Sequence, residues 1–293
     1  MIRYEPGGSE QALRQRCPEP SDQGTRHRVQ GTTTCLGWRS DTLEIIQRQI
    51  DLAADHGLLF WAFCWYYHAG PHGVESDSKH TGLCLFLQAP NRHRLRSCLL
   101  VANHDPYRLQ RPEDWHRVAR HWVPLFKEPE HLRLNGSPMV IVFNPRDVTA
   151  DAVRIVNETS ESVGLPKLAW VGCGTEWPEV FVASTHDHVN SGWMKGWQER
   201  PIERLYEFHQ AAWKSRPGQP HIPCVSVGWD RRPWETAQKG SWYYTGNTPE
   251  KWKAHVRELI AWMANHPDQI TPERYAVIYA WNGLGEGGYL VPT

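Results

Sequence analysis

Asp41 to His68 reads DTLEIIQRQIDLAADHGLLFWAFCWYYH, a helix and a strand joined at a glycine, and this unit sets the pattern for the chain. Asp41 with Glu44 three residues on has capping-box spacing, and Leu43, Ile46, Ile50 and Ala53 recur on one helical face. Gly57 suits a helix end because glycine accepts the left-handed conformation at no steric cost. The spacing predicts a helix over 41–56. Leu58 to Tyr67 is then an unbroken apolar and aromatic run of strand length, as expected of a strand covered on both faces.

Outward from this unit the alternation repeats. Strands are expected at 97–102 (SCLLVA), 138–143 (PMVIVF), 168–173 (LAWVGC) and 222–227 (IPCVSV), with a weaker one at 188–193. Helices are expected at 113–126, 149–163 and 202–214. A last helix carries Thr248 as cap, Pro249 at its first position, and Trp252, Val256, Leu259, Ile260 and Met263 on one face. Tyr275 to Trp281 then closes the series as a strand. It breaks at once into NGLGEGGYLVPT, whose glycines at 283, 285, 287 and 288 imply close backbone approach or positive φ.

Strands alternating with helices argue a parallel sheet, and seven readable strands favour a (β/α)8 barrel over an open doubly wound sheet. No GxGxxG follows an early strand, which removes the commonest nucleotide use of the open alternative. The first barrel strand is truncated or poorly signalled, since Met1 to Tyr4 and Val29 to Cys35 are both weak candidates. Residues 1–36 read as an irregular segment and 37–293 as the barrel domain.

Composition narrows the partners. Lys plus Arg equals Asp plus Glu at 32 each, so no net charge draws the chain to nucleic acid or to an anionic membrane. No 18-residue apolar stretch offers a membrane span and no N-terminal apolar core offers a signal peptide, which places the chain in the cytoplasm. The seven cysteines form no CxxC pair, and Cys64, Cys98, Cys173 and Cys224 sit in apolar runs, reading as small buried hydrophobes. Sixteen tryptophans are unusual, and many fall where strands end, where flat rings stack on the apolar faces of sugars.

A barrel brings its strand ends to one face, where active sites form. The residues so gathered are Trp65, Tyr66, Tyr67, His68, Asn103, His104, Trp193, Trp229, Asp230, Arg231, Trp281, Asn282, Glu286 and Tyr289, with Asp105, Asn144, Arg146 and Glu176 beside them. For each Trp the competing reading is a plug at the end of the core, and for Glu286 a solvated turn. His186-Asp187-His188 places two imidazoles on one side of a strand, either a metal pair or a structural pair. No HExxH or third ligand accompanies it, so no metal or other cofactor is assigned. GxSxG is absent, which disfavours a serine nucleophile.

Trp281-Asn282-Gly283-Leu284-Gly285-Glu286-Gly287-Gly288-Tyr289-Leu290 resembles the WNEWxEGxxLEP-type closing motif of family 99 glycoside hydrolases and the related WbsX proteins of surface-polysaccharide loci. The unit IDLAADHGLLFWAFCWYYH, Val101-Ala102-Asn103, LRLNGSPMVIVF and Gly228-Trp229-Asp230 are also similar, so the likeness spans about 37–293. The resemblance implies a (β/α)8 barrel acting on an oligo- or polysaccharide, with two Glu of the closing motif as base and acid; Glu286 matches the acid. The first Glu corresponds to Gly283, which holds no proton. Asp230, at the tip of the strand next to the closing one, is the substitute candidate, at the spacing of about 5–10 Å that glycosidase pairs use. The alternatives are a carbohydrate-binding pseudoenzyme and a polysaccharide-assembly protein.

Overall fold

The computed structural model describes residues 42–68, 78–174, 178–186, 194–214, 219–233 and 235–292. It is an α/β fold with a parallel sheet and, among the described residues, six α-helices. The segment 1–36, Asp41, Glu176, residues 187–193 and Trp193 with them lie outside the described residues, as does the weaker strand expected at 188–193. The chain divides into two compact units, and among the described residues it first passes between them within β5.

In the first unit, α1 (Leu43–Asp55) leads into β1 (Phe60–Trp65). Thr42 caps α1, its hydroxyl accepting from the Ile45 N–H, and Gly57 takes φ +82° to end it. α2 (Thr81–Gln88) and β2 (Arg96–Val101) follow, then α3 (Pro112–Lys127), the short β3 (Arg133–Leu134), β4 (Ser137–Val142), α4 (Ala150–Glu161) and β5 (Ala169–Cys173). The strands lie in the order β1-β2-β4-β5. β1 and β2 are parallel with Phe60 opposite Arg96, and β2 and β4 are parallel with Leu99 opposite Val140. The core sets Leu99, Val101, Val140 and Val142 of the sheet against Trp115, Val118, Trp122 and Phe126 of α3. At roughly 1.5–3 kcal/mol per fully buried large apolar side chain, this face is the main stabiliser of the unit.

Two expectations need correction here. β1 is not covered on both faces: Cys64 is exposed and Ala62 half-buried, whereas Trp61 and Trp65 are buried. The unbroken apolar run hid an alternation of buried and open faces. α2 went unread because TGLCLFLQ is eight residues long, apolar almost throughout and without a side-chain cap, so it shows no helical period.

The second unit holds β6 (Ala183–Thr185), β7 (Gln198–Pro201), α5 (Ile202–Lys214), β8 (Cys224–Ser226), β9 (Trp242–Thr245), α6 (Pro249–Asn265) and β10 (Val277–Tyr279). It ends in the two-residue pair β11 (Asn282–Gly283) and β12 (Gly288–Tyr289). β8 and β10 are parallel with Val277 opposite Cys224, and β7 and β9 are parallel with Gln198 opposite Trp242. Thr248 caps α6 and Pro249 starts it, as its sequence predicts. The buried face differs from the expected one: His255, Leu259, Trp262 and Met263 face inward while Ile260 is 60% exposed. A buried histidine on the apolar stripe rotates that face, and hydropathy alone counts histidine as a surface residue.

Candidate functional site

The parallel pair β8–β10 delivers two loops from its carboxyl ends, 227–231 and 280–292, and backbone hydrogen bonds lock them together. The Val227 N–H donates to the Tyr279 carbonyl at 2.8 Å, and the Asp230 N–H donates to the Glu286 carbonyl at 2.7 Å. The glycines of the closing stretch make this possible. A Cβ at Gly228 would overlap the Gly287 carbonyl oxygen, one at Gly288 would lie 2.5 Å from Cε1 of Tyr279, and one at Gly283 2.6 Å from the Gly288 carbonyl oxygen. Gly287 takes φ +68°. The glycine density thus serves chain-on-chain packing.

Inside this knot, the Tyr279 hydroxyl donates to Oε2 of Glu286, and both residues are half-buried. The Tyr279 ring lies 5.8 Å from that of Trp229, and a cis peptide bond follows it. Arg231 is 1% exposed, and its guanidinium lies 5.8 Å over Trp229 and donates from Nη2 to the Lys239 carbonyl at 3.1 Å. Burial lowers the pKa of Arg231, while the charges of Glu235 and Glu286 work against that shift. The Glu286 carboxylate therefore sits in the field of a buried cation and accepts a phenolic proton.

Asp230 turns to a different partner. Its Oδ1 accepts from the Arg232 N–H at 3.0 Å, and Arg232 Nε and Nη2 reach the carboxylate at 2.9 and 2.7 Å. Arg232 in turn stacks 3.6 Å over the Tyr243 ring, and the Tyr243 hydroxyl donates to Glu199 at 3.1 Å. Hydrogen bonds from Arg232 fix Asp230 in this ladder, and they raise the guanidinium's pKa.

A buried relay supports the loop from behind. The Ser226 N–H donates to Nε2 of His209 at 3.2 Å, which makes that nitrogen the acceptor and Nδ1 the donor. His209 Nδ1 then donates to Nε2 of His255 at 2.9 Å, and His255 Nδ1 donates to Glu258 at 3.2 Å. Burial holds His209 well below the ordinary range, helped by His255 and His186, and lowers His255 as well. Tyr206 donates to Asn247 at 2.8 Å and Asn247 to the Val227 carbonyl at 2.7 Å, which pins the loop after β8.

At the strand ends of the first unit, Tyr66, His104 and Tyr107 form an edge-to-face cluster, with Tyr66–Tyr107 centroids 4.9 Å apart and Lys79 5.1 Å over Tyr107. His68 is exposed beside Tyr107 at 6.2 Å. A 380 Å³ cleft lies between the starts of α3 and α4, lined by Arg108, Gln110, Trp115, Asp147 and Thr149 among others.

Several residues expected to touch a ligand are closed off. Trp65 is fully buried, stacked on His80 at 5.4 Å. Tyr67 is 2% exposed and donates to Asp114 at 2.5 Å; burial pushes its phenol up, and Asp114 adds to that. Asn103 clamps Asn144, accepting from its N–H at 2.7 Å and donating to its carbonyl at 2.8 Å. Trp229 and Arg231 are likewise buried. These five are buried and hold their loops in place. Trp281 and Tyr289 are half-buried and Asn282 is exposed, with Asn282 opposite Tyr289 in the β11–β12 pair. Among the described residues no group of three or more side chains is placed to hold a metal, and Asp187 and His188 lie outside them. Tyr279 was missed because a tyrosine closing an apolar strand reads as core, and nothing in its spacing marks it.

Among solved structures the chain is similar to one titled "Glycoside hydrolase-like protein", at 12% identity and a TM-score of 0.61, over 88% of this chain and 81% of that one. No curated protein matches it. No helix of the described residues is long and apolar enough to cross a membrane. The family described as "Glycosyltransferase WbsX" matches residues 38–293, and the chain belongs to that family.

Proposed function

We propose that this chain is a carbohydrate-active enzyme of (β/α)8 barrel type that acts on a glycosidic bond of an oligo- or polysaccharide, with Glu286 as its proton-handling carboxylate. The carrying observation is the contact of the Glu286 carboxylate with the Tyr279 phenol beside the buried Arg231 cation. A half-buried carboxylate held in a fixed direction at the carboxyl end of a parallel strand pair is the arrangement that general acid–base chemistry needs. The strand–helix order and the likeness to a glycoside hydrolase-like structure support the barrel. The family's printed description supports a carbohydrate substrate.

The resemblance assigns Glu286 the role of acid, whereas its carboxylate accepts the Tyr279 hydroxyl, an arrangement that suits a proton acceptor. Asp230, bound to Arg232 on both oxygens, serves better as the anchor of its loop than as the second carboxylate. A second reading, non-catalytic sugar binding, is favoured by Gly283, which leaves the closing motif one carboxylate short. Digestion of an oligosaccharide panel by wild type and Glu286→Gln separates the two: catalysis requires turnover lost in the variant, whereas a binding protein retains its ligand in both and turns over nothing.

A further inference from the structure

We propose that Tyr279 is the nucleophile of this site and Glu286 the base that activates it, so that the glycosyl unit passes through a covalent bond to the Tyr279 oxygen. This rests on the reading of Glu286 as the essential carboxylate. Three observations carry it. The Tyr279 hydroxyl donates directly to Oε2 of Glu286, so the proton to be removed already points at its acceptor. A Cβ at Gly283 would lie 3.4 Å from the Tyr279 hydroxyl, so the phenol stands in contact with the point where the missing side chain would begin. The ring packs against Trp229, 5.8 Å between centroids, and against Gly288, where a Cβ would stand 2.5 Å from ring atom Cε1.

The chemistry follows from these positions. A free phenol, with a pKa near 10, is a weak nucleophile at neutral pH and needs an adjacent base. Glu286 is that base, its carboxylate already accepting the Tyr279 hydroxyl hydrogen bond. In the first step the Tyr279 oxygen bonds to the anomeric carbon as the bond from that carbon to the leaving oxygen breaks. The phenolic proton goes to Glu286; the leaving oxygen keeps the electron pair and takes a proton from water, and Glu286 returns its proton to the resulting hydroxide. In the second step a hydroxyl attacks the anomeric carbon, Glu286 takes its proton, and the departing phenolate recovers that proton. Two inversions give net retention. Tyrosine nucleophiles occur in other glycosidases, so the step has chemical precedent. With water as acceptor the outcome is hydrolysis, and with a sugar hydroxyl it is transfer, so one intermediate serves both a hydrolase-like fold and a family described as a transferase.

The test uses the full chain with a panel of aryl glycosides and the matching 2-deoxy-2-fluoroglycosyl fluorides. The expected result is turnover with retained anomeric configuration, one fluoroglycosyl adduct per chain mapped to the Tyr279 peptide, and no adduct in Tyr279→Phe. Tyr279→Phe, which keeps the ring and its packing, should lose about 10³-fold or more in turnover with an unchanged melting curve. Wild-type turnover with inversion, an adduct on Glu286 or elsewhere, or Tyr279→Phe within tenfold of wild type overturns the nucleophile and leaves the carboxylate reading standing. Absence of wild-type turnover on every glycoside overturns both. Should Tyr279→Phe misfold, product stereochemistry and adduct mapping on wild type decide alone.

Discussion

Gly283 stands where the resemblance expects the first Glu of the closing motif, and the structure gives the glycine a steric reason. Its backbone, at φ −70° and ψ 51°, is open to any L-residue, so conformation alone does not demand glycine. Space does: a Cβ would stand 2.6 Å from the Gly288 carbonyl oxygen, within the β11–β12 pair, and 3.4 Å from the Ala280 Cβ and the Tyr279 hydroxyl. The nearest atom is backbone, so β11 and β12 must part to admit it. Overpacking of this kind costs about 1–3 kcal/mol. For a chain of this size that lowers Tm by roughly 2–5 °C. Gly283→Ala should show this loss in a circular dichroism melt, and Gly283→Glu at least as much, because its carboxylate would crowd the Tyr279–Glu286 pair. Restoring the carboxylate should therefore not raise glycoside cleavage. Unchanged melting of Gly283→Ala, together with a gain of glycosidase activity in Gly283→Glu, would refute the steric reasoning and mark a simple lost base.

Other outcomes follow from the same geometry. Asn247→Ala removes the bridge from Tyr206 to the Val227 carbonyl and should cost about 1 kcal/mol, with faster amide exchange confined to 227–231; uniform exchange rates would show that the bridge does not hold the loop. Acid should destabilise the fold through three buried histidines. Burial lowers His131 to about 4, and His209 and His255 also lie below the ordinary 6.5. Each binds its proton more readily when unfolded, so the stability from keeping them neutral is complete above 6.5 and is lost as pH falls towards the folded values. Urea midpoints at pH 7.5, 6 and 5 should decline in that order, and a midpoint that rises on acidification contradicts the assignment.

Most of the fold was legible because burial and period agree where helices carry one apolar stripe. The helix expected at 202–214 is α5, that at 113–126 is α3 within a residue at each end, and Thr248-Pro249 marks the start of α6. Legibility fails where polarity and burial part company. β7 reads Gln-Glu-Arg-Pro, exposed except at Arg200, with no apolar alternation to betray a strand; it is held by pairing with β9 and by Arg200 stacked 3.5 Å over Trp242. His209 and His255 count as polar, yet they are interior because they satisfy each other and the Ser226 N–H. In the site, Glu286 stood out as a carboxylate among glycines. Its partner did not, because only three-dimensional packing brings the Tyr279 hydroxyl to it. Of the residues placed by position at strand ends, His68 and Asn282 are exposed and Trp281 is half-buried, whereas Trp65 and Tyr67 are core.

The most direct measurement is product analysis over time for wild type and Glu286→Gln on a panel of oligosaccharides and aryl glycosides, with binding of the best substrate followed in parallel. A glycosyl-processing site at the end of β10 predicts that wild type turns over at least one member. The variant should then fall by roughly 10²–10⁴-fold while still binding it. No turnover by wild type, or turnover unchanged in Glu286→Gln, would contradict the assignment and return Glu286 to a structural carboxylate that does no more than fix the Tyr279 hydroxyl.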